Sequence, residues 1–218
     1  MDARRQYKRI PLKGDEIRVE VMTETSAQVT DLSKTGIGVK VSMRLRPGSP
    51  CTVRIGSNGS LMVLQGTSLW ERFAGWSANP RGQVDTLFFA GIRLDDERQD
   101  LMTLACGEEY ESTRTVRVKA SDMTARLSYA ESLTAINLCY KGLLAESWNT
   151  MEPGSERIAR IFLPDNPHKP VKCMIRVTYC KPVTHESEKK YHLGFEFVTM
   201  DDGQAERFKA FILLLSAI

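Results

Sequence analysis

The sequence has no CxxC pair, no ligand-like spacing of histidines and no catalytic signature. Its five cysteines, Cys51, Cys106, Cys139, Cys173 and Cys180, are irregularly spaced. That argues for buried free thiols over a disulfide framework or a zinc site. Cys173 and Cys180 lie in a strand-like stretch, where a separation of seven points them to opposite faces. His168, His185 and His192 have no spacing that would hold a metal. GxSxG, HExxH and P-loop patterns are absent. The acids Asp95, Asp96, Asp201 and Asp202 read as helix starts, not as a catalytic pair. These absences point away from an enzyme and away from any metal or cofactor. Long apolar runs are also missing. The longest, residues 208–218, falls far short of the roughly 20 residues that a membrane span needs. The N-terminus is charged and carries no apolar stretch, so no secretory leader and a cytoplasmic location are expected.

Charge of one sign is scarce as well. A net charge of +3 over 218 residues is too small for wholesale nucleic-acid or membrane binding. Its distribution says more. Arg4, Arg5, Lys8, Arg9 and Lys13 face a single acid, Asp2, in the first thirteen residues. That is a local anion trap on an otherwise balanced chain.

Most segments alternate with period two. Ile17, Val19 and Val21 share one face, with Arg18 and Glu20 on the other. Ile37, Val39 and Val41 do the same, as do Val171, Cys173, Ile175 and Val177. This predicts half-buried strands, and their shortness suggests a small barrel or sandwich. Two stretches read as helices. Residues 95–106 place Leu101 and Leu104 on one side. Residues 202–217 place Ala205, Phe208, Ile212 and Leu215 on one stripe. Residues 71–84, with Gly75, Asn79, Pro80 and Gly82, read as a long hairpin loop with Trp76 partly exposed.

The two halves repeat. Asp31-Leu-Ser-Lys-Thr-Gly36 with Pro47-Gly48-Ser49 matches Asn137-Leu-Cys-Tyr-Lys-Gly142 with Pro153-Gly154-Ser155 at an ungapped offset of 106. Phe89-Ala-Gly91-Ile-Arg-Leu94 matches His192-Leu-Gly194-Phe-Glu-Phe197 at 103. Two domains follow, 1–108 and 109–218, each of strands followed by one helix.

Two motifs carry chemistry. Arg4-Arg5-Gln6-Tyr7-Lys8-Arg9 is an RRxxxR arm. Guanidinium forks fit a phosphate or the O6/N7 edge of guanine and stack on purines. Taken alone, such an arm is a solvated tail. Asp31-x-Ser33-x-x-Gly36-Ile37-Gly38 lies between two expected strands. Its carboxylate suits the N1–H and amino group of guanine, its serine a phosphate or base oxygen, and its glycine a close ligand approach. Taken alone, it is a polar turn that caps its own backbone.

Together, an RRxxxR arm about 20 residues before a DxSxxG turn resembles the PilZ family, and Pro47-Gly48 and Gly91-Ile92-Arg93-Leu94 fit that pattern too. The resemblance covers residues 1 to 106 and extends more weakly through the repeat. It implies a mainly β chain of two tandem six-stranded barrels, each followed by a C-terminal helix. It also implies a receptor for cyclic di-GMP, the ligand held by Arg4, Arg5, Arg9, Asp31, Ser33 and Gly36, with Lys34 and Arg93 as further contacts. An arginine at position 4 implies binding of the ligand as an intercalated dimer. Binding is expected to order the arm, change the domain arrangement and so act on a downstream protein partner.

The second half departs from the family pattern. Asn137 is acceptable, but Cys139 replaces the serine and loses a strong hydroxyl donor. At the offset of 106 the arginines map to Tyr110, Glu111 and Thr115, and Glu108, Glu109 and Glu111 would repel phosphate. Arg114 and Arg117 lie nearby in RxxR spacing. This degenerate domain is expected to bind no nucleotide and to serve as a homodimer or partner surface. The alternative for the whole chain is a nucleotide-independent PilZ-like adaptor. A small-barrel binder of single-stranded nucleic acid would need aromatics interleaved with basic residues on exposed strands, and few such pairs occur, so no DNA or RNA partner is expected.

Overall fold

The computed structural model describes residues 9–12, 17–57, 60–78, 82, 84–106, 117–120, 123–185 and 188–216. Arg4 and Arg5 lie outside them, as does Arg114. The described chain is mainly antiparallel β with two helices. In order the elements are β1 (Ile10–Pro11), β2 (Arg18–Ser33), β3 (Gly36–Val41), β4 (Pro50–Ser57), β5 (Ser60–Ala78), β6 (Val84–Leu94), α1 (Gln99–Cys106), β7 (Val118–Lys119), β8 (Thr124–Cys139), β9 (Gly142–Ser147), β10 (Glu156–Phe162), β11 (Val171–His185), β12 (Glu188–Met200) and α2 (Asp202–Ser216).

The chain divides into two compact units. Unit 1 comprises Met1–Met22 and Glu131–Ile218, and unit 2 comprises Thr23–Ala130. These differ from the contiguous halves expected at 1–108 and 109–218. The reason lies in the two long strands, β2 and β8. Residues 125–129 of β8 pair with β4, so the second repeat's long strand enters unit 2. Residues 18–21 of β2 pair with β10, so the first repeat's long strand enters unit 1. The repeats therefore exchange strand segments.

Unit 2 runs β8-β4-β5-β6-β3-β2 in hydrogen-bonded order, with β7 paired to β2. Its core contains Val29, Leu32, Ile37, Val39, Val53, Ile55, Ile92 and Leu127. Alternation within β3 and β4 sends Ile37 and Val39, and Val53 and Ile55, inward because successive side chains of a strand point to opposite faces. Unit 1 runs β2-β10-β11-β12-β9, with β8 paired to β9 and β1 paired to β8. Val19, Val21, Ile161, Ile175, Leu193 and Phe195 line its core, closed by Phe208 and Ile212 of α2. That is the apolar stripe the sequence places on this helix.

The repeat survives in backbone detail. A β-bulge falls between Val29 and Asp31 in one copy and between Ala135 and Asn137 in the other. Gly48 (φ 85°) and Gly154 (φ 86°) turn in the left-handed region, where glycine pays no Cβ penalty. Leu94 N donates to Thr35 O, and Phe197 N to Lys141 O, each at 2.9 Å.

Two elements differ from expectation. Residues 71–78 continue β5 and Val84 starts β6, so the expected loop is instead a two-stranded ribbon. Phe73 pairs with Phe88 and Trp76 with Thr86. Gly75, at φ 128°, sits in a bulge instead of ending the strand. Trp76 is 70% exposed. Helix α1 begins at Gln99, not at residue 95. Asp95 N donates to Gln65 O at 3.0 Å and Arg98 N to Lys34 O at 2.8 Å, so these amides serve strand connections before the helix starts.

Cys51, Cys139 and Cys173 are buried free thiols, and Cys180 is half-buried. Burial pushes the Cys51 thiol up to about 12, with the charge of Asp95 adding to it. Burial alone pushes Cys173 up to about 12. Because the thiolate is the reactive species, neither residue is expected to react with a thiol reagent near neutral pH until the chain unfolds. Mass mapping of alkylated native protein checks this, and labelling of either at the rate of a free thiol contradicts it.

Candidate functional site

The candidate site is the turn between β2 and β3 in unit 2. The bulge after Val29 rotates Asp31 off the alternation, and its side chain settles across the partner strand over Gly38. A methyl group at Gly38 would overlap the Asp31 carboxylate and the Thr30 hydroxyl. Glycine at position 38 is thus what makes room for the acid. Thr30 Oγ1 donates to Asp31 Oδ2 at 2.9 Å. The turn is closed by Ser33, whose hydroxyl donates to Gly36 O at 3.2 Å while the residue is only 3% exposed. Ser33 therefore braces the turn, and its proton is directed at backbone. Gly36 packs under Ile92 O and lies directly across the ladder from Arg93, an exposed residue. Lys34 is half-buried beside the turn.

Among the described residues, the cation that pairs with the Asp31 carboxylate is Arg117. Its Nη1 donates to Asp31 Oδ1 at 2.7 Å. Strand β7 sets this geometry by pairing Lys119 with Asp31 and Val118 with Leu32. In unit 1, β1 pairs Pro11 with Asn137 and Ile10 with Leu138. The two arms thus correspond at an offset of 108, and Arg117 is the counterpart of Arg9. The offset of 106 gave Thr115 for Arg9. The first repeat has two more residues between arm and long strand, residues 12–17 against 120–123. The structure places Asp31, Ser33, Gly36, Lys34 and Arg93 in unit 2, and Arg9, exposed, in unit 1.

The turn of unit 1 is built differently. Ile136 stands where unit 2 has Thr30, Cys139 where it has Ser33, and Leu144 where it has Gly38. Leu144 thus brings a half-buried side chain where Gly38 has none, and Asn137 Oδ1 is buried with no hydrogen-bond partner among the described residues.

Arg117 and Gly38 are the residues that sequence reasoning missed. The second glycine of Asp31-x-Ser33-x-x-Gly36-Ile37-Gly38 was the available signal. Gly38→Ala is expected to evict the Asp31 side chain and to destabilise unit 2 by about 1–3 kcal/mol, as chemical denaturation would register. Unchanged stability would contradict this packing.

No known family model matches the chain, and no curated protein matches it. Solved structures do. The chain is similar to MrkH of K. pneumonia in its apo state, at 9% identity, over 93% of this chain and 86% of that one, with a TM-score of 0.35. A second MrkH structure, described as a c-di-GMP dependence transcription regulatory factor, gives 10% identity, 93% and 85% coverage and a TM-score of 0.35. The Bacillus subtilis inhibitor of motility MotI/DgrA gives 9% identity, 79% and 97% coverage and a TM-score of 0.33. No described helix is long and apolar enough to cross a membrane.

Proposed function

We propose that the chain is a cyclic di-GMP receptor, a ligand-responsive adaptor and not an enzyme, with the nucleotide held at the Asp31 turn of unit 2. The observation that carries this reading is the Arg117 guanidinium held 2.7 Å from the Asp31 carboxylate. The pair offers a planar cation for phosphate or the O6/N7 edge of guanine beside an acceptor for the guanine N1–H and amino group. Gly38 leaves room for the Asp31 side chain, and Gly36 lets the Ile92 carbonyl pack close. Both partners stay reachable, with side chains 54% and 26% exposed. In this reading each unit is a small PilZ-like barrel, and unit 1 is the degenerate copy because Cys139 and Leu144 replace Ser33 and Gly38 there.

Arg4, Arg5 and Arg9 are the sequence-based candidates for the remaining guanidiniums, with Arg4 favouring an intercalated dimer of the ligand. Ligand binding in a cytoplasmic receptor of this kind is read by a downstream protein, and no cofactor is required. The test is fluorescence polarisation with labelled cyclic di-GMP on the full chain. Displacement by unlabelled cyclic di-GMP but not by GTP supports the reading, and no binding at high micromolar protein overturns it. Arg5→Ala and Arg9→Ala are each expected to abolish tight binding without altering the fold. If both bind as tightly as the parent, the arm has no part in the site.

A further inference from the structure

Unit 2 also carries an open groove of about 710 Å³, lined among others by Ser26, Gln28, Arg54, Leu61, Thr124 and Arg126. Arg54 and Arg126 stand directly opposite each other across the β4–β8 ladder. Their chain neighbours Val53, Ile55 and Leu127 are fully buried, so alternation turns both arginines to the outer face. Like charges placed this way destabilise a sheet. Arg54 has some compensation. Its Nη1 donates to Glu24 at 3.3 Å and to Ser128 Oγ at 2.5 Å, and Ser128 in turn donates to Glu24 at 2.9 Å. Arg126 is exposed and has no acid or hydrogen-bond partner among the described residues.

The chain holds its own control. The β10–β2 ladder of unit 1 is the repeat counterpart of β4–β8, and there Arg160 faces Glu20. Both positions follow from Arg54 and Arg126 by the repeat offset of 106. Arg160 Nη2 lies 2.6 Å from Glu20 Oε2. One place in the repeat is therefore an ion pair in unit 1 and a pair of cations in unit 2. The fold does not require the second arginine, and sheet stability opposes it.

We infer that this groove binds a phosphate-bearing small molecule, the phosphate bridging Arg54 and Arg126 through their guanidinium forks. Leu61, 66% exposed, offers an apolar shelf for the body of the ligand. The Gln28 amide and the hydroxyls of Ser26 and Thr124 meet its polar edges. The site is separate from the Asp31 turn and uses none of its residues.

The experiment is a titration of the full chain with inorganic pyrophosphate, followed through the arginine Nε–Hε resonances. Saturable shifts at Arg54 and Arg126 are expected, weakened at least tenfold in Arg126→Gln and abolished in Arg126→Glu. The same shifts are expected in Asp31→Ala, so the outcome does not depend on whether cyclic di-GMP binds. Circular dichroism confirms that each variant is folded. Shifts spread evenly over exposed arginines such as Arg18 and Arg46, or binding undiminished in Arg126→Gln, would overturn the inference.

Discussion

Arg117→Ala is expected to lower the affinity for cyclic di-GMP by about 10- to 100-fold. A hydrogen bond to a charged group contributes about 1.5–3 kcal/mol, and about 1.4 kcal/mol is a factor of ten. The same substitution should hardly touch stability. The Arg117 and Asp31 side chains are 54% and 26% exposed, and an exposed pair of this kind contributes about 0–1 kcal/mol. Arg117→Lys separates charge from geometry. Lysine keeps the cation but lacks the planar fork, so it is expected to recover only part of the affinity. Calorimetric titration of the three proteins, beside their melting curves, checks this. A variant that loses stability but binds as before would make Arg117 a structural residue only.

Phe208→Ala is expected to cost unit 1 about 3–5 kcal/mol, the range for truncating a buried aromatic ring. Phe208 is 3% exposed and meets Phe197 edge-on, with centroids 5.1 Å apart and planes at 80°. It and Ile212 are the buried residues of α2. A helix of this length is marginal on its own in water, so its packing on the sheet is what keeps it formed. Removing the ring leaves a cavity and loosens that attachment. Urea denaturation followed by far-ultraviolet circular dichroism measures the loss, and a cost under about 1 kcal/mol would show that α2 is held by something else.

The sequence made some of this legible. The period-two faces of residues 17–21, 37–41 and 171–177 are the buried faces observed. The stripe of α2 and the matched turns at Gly48 and Gly154 were equally clear, because each is a local signal: a period or a conformation that few residues tolerate. What was hidden is non-local. Alternation says which face of β2 is buried but not which strand lies beside it, so the exchange of strand segments between repeats left no mark. Arg117 was hidden for a related reason. The turns align at an offset of 106, while the arms align at 108, and only the β1–β8 and β7–β2 pairings reveal the difference. Gly75, Asn79, Pro80 and Gly82 drew residues 71–84 toward a loop. Cross-strand aromatic pairing at Phe73–Phe88 favours the ribbon instead.

The most direct measurement is isothermal titration of the full chain with cyclic di-GMP, fitted for stoichiometry, on the parent and on Asp31→Ala. Saturable binding at one site per chain, occupied by a single nucleotide or an intercalated pair, is expected of the parent, and no detectable heat from Asp31→Ala. Undiminished binding by Asp31→Ala, or a second site that survives it, would contradict the assignment to the unit 2 turn.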